Sequence, residues 1–192
     1  MRDKLRIVYL EDYRVTLAEL LMPASEISEQ ISLAGTEASG TGNMKMMING
    51  AVTLGTLDGA NVEICDAVGE ENMFLFGMRT PEVENLQRSG YNPQVYYNNN
   101  HRLRRAVDAV RQGFAGSTFD EVVHALLGAD QYMVMADFED YCRAQSAIDA
   151  VYADPAKFNR MSLRNVAGAG IFSADRAIAD YARDIWHVTP LK

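Results

Sequence analysis

Through the first 78 residues, short apolar runs rich in β-branched side chains alternate with helix-like stretches. Leu5 to Leu10 (LRIVYL) and Ala51 to Leu57 (AVTLGTL) read as buried strands, as does Asn72 to Phe76 (NMFLF). Ile27 to Leu33 is ambiguous between strand and turn. Arg14 to Leu21 has helical apolar spacing, with Pro23 as its stop, and Asp58-Gly59 is a turn signal. Strands separated by helices predict an α/β fold, a mostly parallel sheet covered by helices.

From 79 onward the pattern is helical. Arg79 to Gly90, His101 to Arg111 and Thr118 to Leu127 are short helices. Asp137 opens a longer one with Phe138, Tyr141, Cys142, Ile148, Val151 and Tyr152 on its apolar stripe. Asp154-Pro155 fits a cap followed by proline at the first helical position. That helix carries Phe158, Met161 and Val166 inward and ends near Gly168 or Gly170. Ser173 caps the last helix, with Ile178, Tyr181, Ile185 and Trp186 inward and Thr189-Pro190 closing it. The expected organisation is one domain over 1–192, α/β to residue 78 and mainly helical from 79.

Composition excludes several classes. At 48 % hydrophobic and 23 % charged residues the chain is ordinary for a globular domain. A net charge of −8 argues against a nucleic-acid partner. No apolar run approaches the ~18 residues of a membrane span. The N-terminus, beginning Met1-Arg2-Asp3-Lys4, lacks the h-region of a signal peptide, and Cys65 and Cys142 read as reduced thiols, so the expected compartment is the cytosol. Cys142 is read as core, and Asp120 and His124 as a surface pair at i, i+4. His101, His124 and His187 have no metal-ligand or catalytic spacing, so no metal is expected.

Between Glu37 and Asp58 the one charged side chain is Lys45, among Met44, Met46, Met47 and Ile48. Such a lysine is expected to be partly buried, which would lower its pKa and favour the neutral amine. The alternative is that it snorkels to water. Just before it, Ser39-Gly40-Thr41-Gly42-Asn43 is rich in NH and OH donors and leads into a helix expected over Met44 to Asn49, with Gly50 as its stop. A glycine loop opening a helix binds anions, through free backbone NH groups and the positive end of the helix dipole. Lys45 is then expected in the first turn, beside the anion. A phosphate cradle plus an amine is what pyridoxal 5′-phosphate requires. The P-loop does not fit, because methionine follows Lys45; nor does the Rossmann fingerprint, whose third glycine would stand at Lys45. A glycine turn that binds nothing is the remaining reading.

Glu37-Ala38-Ser39-Gly40-Thr41-Gly42-Asn43-Met44-Lys45, with Asn49-Gly50-Ala51 and Gly55-Thr56-Leu57-Asp58-Gly59-Ala60-Asn61-Val62-Glu63, resembles the pyridoxal-phosphate segment of α-glucan phosphorylases, the glycogen, starch and maltodextrin phosphorylases. The likeness continues through Glu11 to Val15, Ser28 to Ser32, Phe74 to Gly77 and Ser173 to Arg176. It implies part of the C-terminal Rossmann-like domain of a GT-B fold, and a glycosyltransferase releasing glucose 1-phosphate from α-1,4-glucan with inorganic phosphate. By the resemblance Lys45 is the Schiff-base position, Thr41 and Gly42 hold the cofactor phosphate, and Tyr13 and Arg14 line its pocket. Glu37, Ser39 and Gly40 meet the hydroxyls of the glucosyl unit.

The resemblance covers the C-terminal end of the family. The substrate-phosphate cluster and the regulatory sites belong to earlier parts and have no match here. The basic run His101 to Arg105 reads as a solvated helix face. The chain is therefore expected to be a fragment with no complete catalytic set, inactive alone and prone to self-association. An unrelated pyridoxal-phosphate enzyme, such as an aminotransferase, would need an Asp at the ring nitrogen and a carboxylate-binding Arg, neither of which can be placed. An inactive folding module is the other alternative.

Overall fold

A computed structural model describes residues 6–189. Its centre is a three-stranded parallel sheet in sequential order, β1 (Ile27–Gln30), β2 (Val52–Gly55) and β3 (Phe74–Leu75). Ile27 pairs with Val52 and Leu54 with Phe74. Each crossover is a helix, α2 (Thr41–Ile48) and then α3 (Ala60–Val68). Parallel neighbours need such a connection, and two alike put both helices on one face of the sheet.

The pleat sorts the core. Val52, Leu54 and Phe74 pack against α8 (Val134–Tyr152) and α9 (Pro155–Gly168), through Ala144, Ile148, Val151, Phe158 and Met161. Met47, Ile64, Cys65 and Val68 of α2 and α3 form a second cluster with Met73 and Leu75. β2 is buried at all four residues, as expected of a parallel strand covered on both faces. α9 also closes the amino ends of the strands: the Ser162 hydroxyl donates to the Gly50 carbonyl, and Asn165 Nδ2 to that of Asn72.

α4 (Thr80–Ser89), α5 (Pro93–Asn99), α6 (His101–Gln112) and α7 (Asp120–Leu127) complete the helical part. α5 was not legible as a helix, although Asn92 caps it through the Gln94 N–H and Pro93 takes its first position. Asp154 caps α9 as expected, accepting from Ala156 and Lys157. Cys142 is buried, and Asp120 and His124 make no ion pair with each other.

Several expectations fail for physical reasons. The run at Arg6–Leu10 is no strand, and Ile7, Val8, Tyr9 and Leu10 are exposed; Leu5 lies outside the described residues. No strand among the described residues takes its backbone groups, so an apolar run alone does not make a ladder. α1 (Val15–Ala24) continues through Pro23, which stands in its last turn. The third strand is two residues long because Glu70–Asn72 forms a 3-10 turn ahead of it. In α10 (Ala174–Tyr181) and the π-turn Ala182–Trp186, the residues Ile178, Tyr181, Ile185 and Trp186 face water, as does Val166 in α9. Ser173 stands at the start of α10 without a side-chain cap bond. Pro190 lies outside the described residues. No described helix is long and apolar enough to cross a membrane.

Candidate functional site

The chain leaves β1 at Gln30 into the loop 31–40 and leaves β2 at Gly55 into the turn 56–59, both at the carboxyl end of the sheet. Asp58 joins the two. Its buried carboxylate accepts the Gly35 N–H through Oδ1 at 2.9 Å and the Glu37 N–H through Oδ2 at 2.8 Å. The Thr56 hydroxyl donates to the Ser32 carbonyl at 2.7 Å. Gly59 has φ +50°, and a Cβ there would stand 2.8 Å from Glu37 Cγ. Only glycine accepts both conditions, and Glu37 is thereby laid over the turn.

These loops enclose a cleft of about 210 Å³, lined by Gln30, Ser32, Glu37, Gly40, Asn43 and Asn61 among others. Apart from Ile31 and Gly40 its lining is carboxylate, amide and hydroxyl, groups that pair with the hydroxyls of a polar ligand. Carboxyl ends of parallel strands are where α/β sheets bind ligands.

α2 begins at this cleft. Gly40 precedes it in extended conformation, and no side chain caps it. The first backbone N–H groups are thus left for a ligand or water. A Cβ at Gly42 would meet nothing within 4 Å, so the helix start is open on that side. Asn43 turns inward: its Nδ2 donates to Asn61 Oδ1 at 2.8 Å, and Asn61 Nδ2 donates to the Thr56 carbonyl at 2.9 Å. This relay fastens the starts of α2 and α3 to the end of β2.

The helix starts three residues earlier than its sequence suggests, at Thr41 rather than Met44. Lys45 therefore sits in the last turn, not the first, and it is exposed. The burial expected from its apolar neighbours fails because Met47 takes the inward direction while Lys45 points away. Thr41 and Lys45, four residues apart, share one face of α2. An aldehyde bearing a phosphate matches this donor set: open N–H groups, room at Gly42 and an amine on the same face.

The remaining site residues are placed less centrally. Ser39 is exposed on the loop and does not line the cleft. Tyr13 and Arg14 are exposed at the start of α1, which packs against α2, and neither lines the cleft. Arg14 pairs with Asp12. Asp58, Asn43 and Asn61 were not read as site residues. Their signal was faint: polar side chains inside an otherwise apolar stretch, and an aspartate before glycine.

A pair of carboxylates holds the chain leaving β3. Asp137 accepts the Met78 N–H at 2.9 Å and Asp140 the Gly77 N–H at 2.8 Å. Burial pushes the Asp137 carboxyl above its usual range, against the pull of the Met78 N–H. The Arg143 guanidinium holds Asp140 below that range. Asp130 accepts the Tyr91 hydroxyl and the Val134 and Met135 N–H groups, so α8 starts at Val134, not at Asp137. No group of His, Cys, Asp and Glu among the described residues could hold a metal.

Fold and cleft together describe an α/β protein with its ligand site at the carboxyl end of a parallel sheet, beside a glycine-opened helix carrying a lysine. The carbohydrate phosphorylase family profile matches residues 1–188. The muscle form of glycogen phosphorylase from Bos taurus is 50 % identical over 194 residues, covering 99 % of this chain. The muscle form from Homo sapiens and the brain form from Ovis aries are each 50 % identical over 192 residues. The chain belongs to the carbohydrate phosphorylase family. It spans 23 % of the length of these relatives.

Proposed function

We propose that this chain carries the cofactor half of an α-glucan phosphorylase centre, taking pyridoxal 5′-phosphate for the release of glucose 1-phosphate from α-1,4-glucan. The observation that carries this reading is the start of α2: N–H groups without a side-chain cap at Thr41 and Gly42, space at Gly42, and the Lys45 amine one turn on from Thr41. Thr41 and Gly42 hold the cofactor phosphate, and Lys45 joins its aldehyde. Tyr13 and Arg14 border that pocket from α1. Glu37, Ser39 and Gly40 meet the glucosyl hydroxyls. When bound, the cofactor supplies a phosphate group that exchanges a proton with the substrate phosphate.

Among the described residues, the neighbouring cleft has carboxylates from Glu29, Glu37 and Asp58 and no lysine or arginine in its lining. A substrate phosphate needs positioned positive charge as charge develops in the transition state. These 192 residues alone should therefore take up the cofactor weakly and reversibly and release no glucose 1-phosphate. Titration with pyridoxal phosphate, followed by dialysis, checks the first point against Lys45→Ala. An assay with a maltooligosaccharide and phosphate checks the second. Equal uptake by Lys45→Ala removes the cofactor assignment, and glucose 1-phosphate above that control contradicts the half-centre reading.

A further inference from the structure

On α9, Lys157, Arg160 and Arg164 fall at i, i+3 and i+7, which places them along one face. All three are exposed. None pairs with a carboxylate among the described residues. With Met161 they line a cavity of about 340 Å³ against Glu71 and Asn72. Two other clefts also hold arginines, but there Arg79, Arg143 and Arg111 are each taken by an acid. Positive charge left unpaired around a cavity, in a chain of net charge −8, is a feature the proposed function does not use.

We propose that this cavity binds a small ligand bearing two linked phosphate groups. Guanidinium forks match phosphate oxygens two at a time. Arg160 and Arg164 stand one turn apart on the cavity wall, a spacing that lets both forks take one phosphate group. Lys157 lies three residues before Arg160, about 4.5 Å along the axis, and meets the second. Without a ligand, Arg160 and Arg164 form an i, i+4 like-charge pair, which is unfavourable on a helix. The volume suits a small molecule, and the acidic surface as a whole repels an extended polyanion such as nucleic acid. Glu71 opposes binding from the rim; Asn72 Nδ2 donates to its carboxylate at 3.1 Å.

Titration of the whole chain with pyrophosphate at constant ionic strength, followed by amide NMR, tests the site. Saturable shifts are expected at 71–72 and 157–164, with inorganic phosphate binding more weakly. Arg160→Ala and Arg164→Ala, both at exposed positions, should each weaken binding about tenfold. Glu71→Gln should tighten it. The proposal is overturned by an absence of saturable shifts, by shifts confined to Thr41–Asn43, by equal binding of inorganic phosphate, or by affinities that the arginine variants leave unchanged. It is independent of the cofactor reading, because Lys45→Ala should bind pyrophosphate at α9 as the unaltered chain does.

Discussion

Val52 and Leu54 in β2 are fully buried between helices on both faces of the sheet, whereas Ile7 and Tyr9 stand 84 % and 90 % exposed. The same holds at the other end, where Trp186 is 54 % exposed and Ile185 63 %. Side chains of one kind meet opposite fates. β2 has a strand on each side and a helical layer above and below. The segments at 6–10 and 174–188 have apolar stripes and nothing among the described residues that covers them. Apolar pattern specifies a face that seeks cover, and the covering partner decides whether burial follows.

This contrast can be broken most strongly in the sheet. Leu54→Ala removes a side chain held between Val52, Phe74 and α8, and should cost about 2–5 kcal/mol by chemical denaturation. A cost under about 1 kcal/mol would mean that the sheet is not the stability centre. Next comes Asp154→Ala, which takes the cap from two N–H groups of the helix closing the strand ends. It should cost about 1 kcal/mol.

The flanks should behave differently. Ile7→Ser and Ile185→Ser should each change folding stability by less than about 0.5 kcal/mol. They should nevertheless weaken self-association, because exposed apolar stripes pair with other copies. Light scattering at micromolar concentration checks both parts. A monodisperse monomer before any substitution would remove the association, and a large stability loss would show the flanks to be packed.

The smallest effect concerns the acids on α8. Asp140 is held below its usual range, so its contribution is present above the unfolded pKa and is lost as pH falls through the folded one. Asp137 is raised, so its contribution is present in acid and is lost as pH rises through its folded pKa. Asp137→Asn should therefore raise stability at neutral pH relative to acid, and Asp140→Asn should lower it. Urea midpoints at the two pH values decide, and shifts of the same sign in both variants would contradict the assignment.

Local rules made much of the molecule legible. The alternation of strand and helix gave the parallel sheet, and Asp154-Pro155 gave the start of α9 and hence the cover of the strands. The glycine loop before Lys45 gave the presence of α2, though not its first residue. What escaped depended on partners far along the chain. The start of α2 was misplaced because Asn43, read as part of the loop, lies inside the helix and is held there by Asn61, 18 positions on, as well as by the neighbouring Met44 N–H. Asp58 passed as a turn residue because its two N–H partners lie 23 and 21 positions earlier. Lys45 is exposed because Met47, two residues on, takes the inward face of α2, a choice made by what packs on the helix and not by its own apolar neighbours.

The chain has four lysines, Lys4, Lys45, Lys157 and Lys192, so the cofactor half-centre can be tested at one residue. Treatment with pyridoxal phosphate, or with pyridoxal lacking the phosphate, is followed by borohydride reduction and peptide mass mapping. If the start of α2 holds the phosphate, labelling of Lys45 should be much greater with the phosphate than without it. Gly42→Ala, which fills the open space at the helix start, should abolish the difference. Equal labelling of Lys45 by both aldehydes would contradict the assignment of the site.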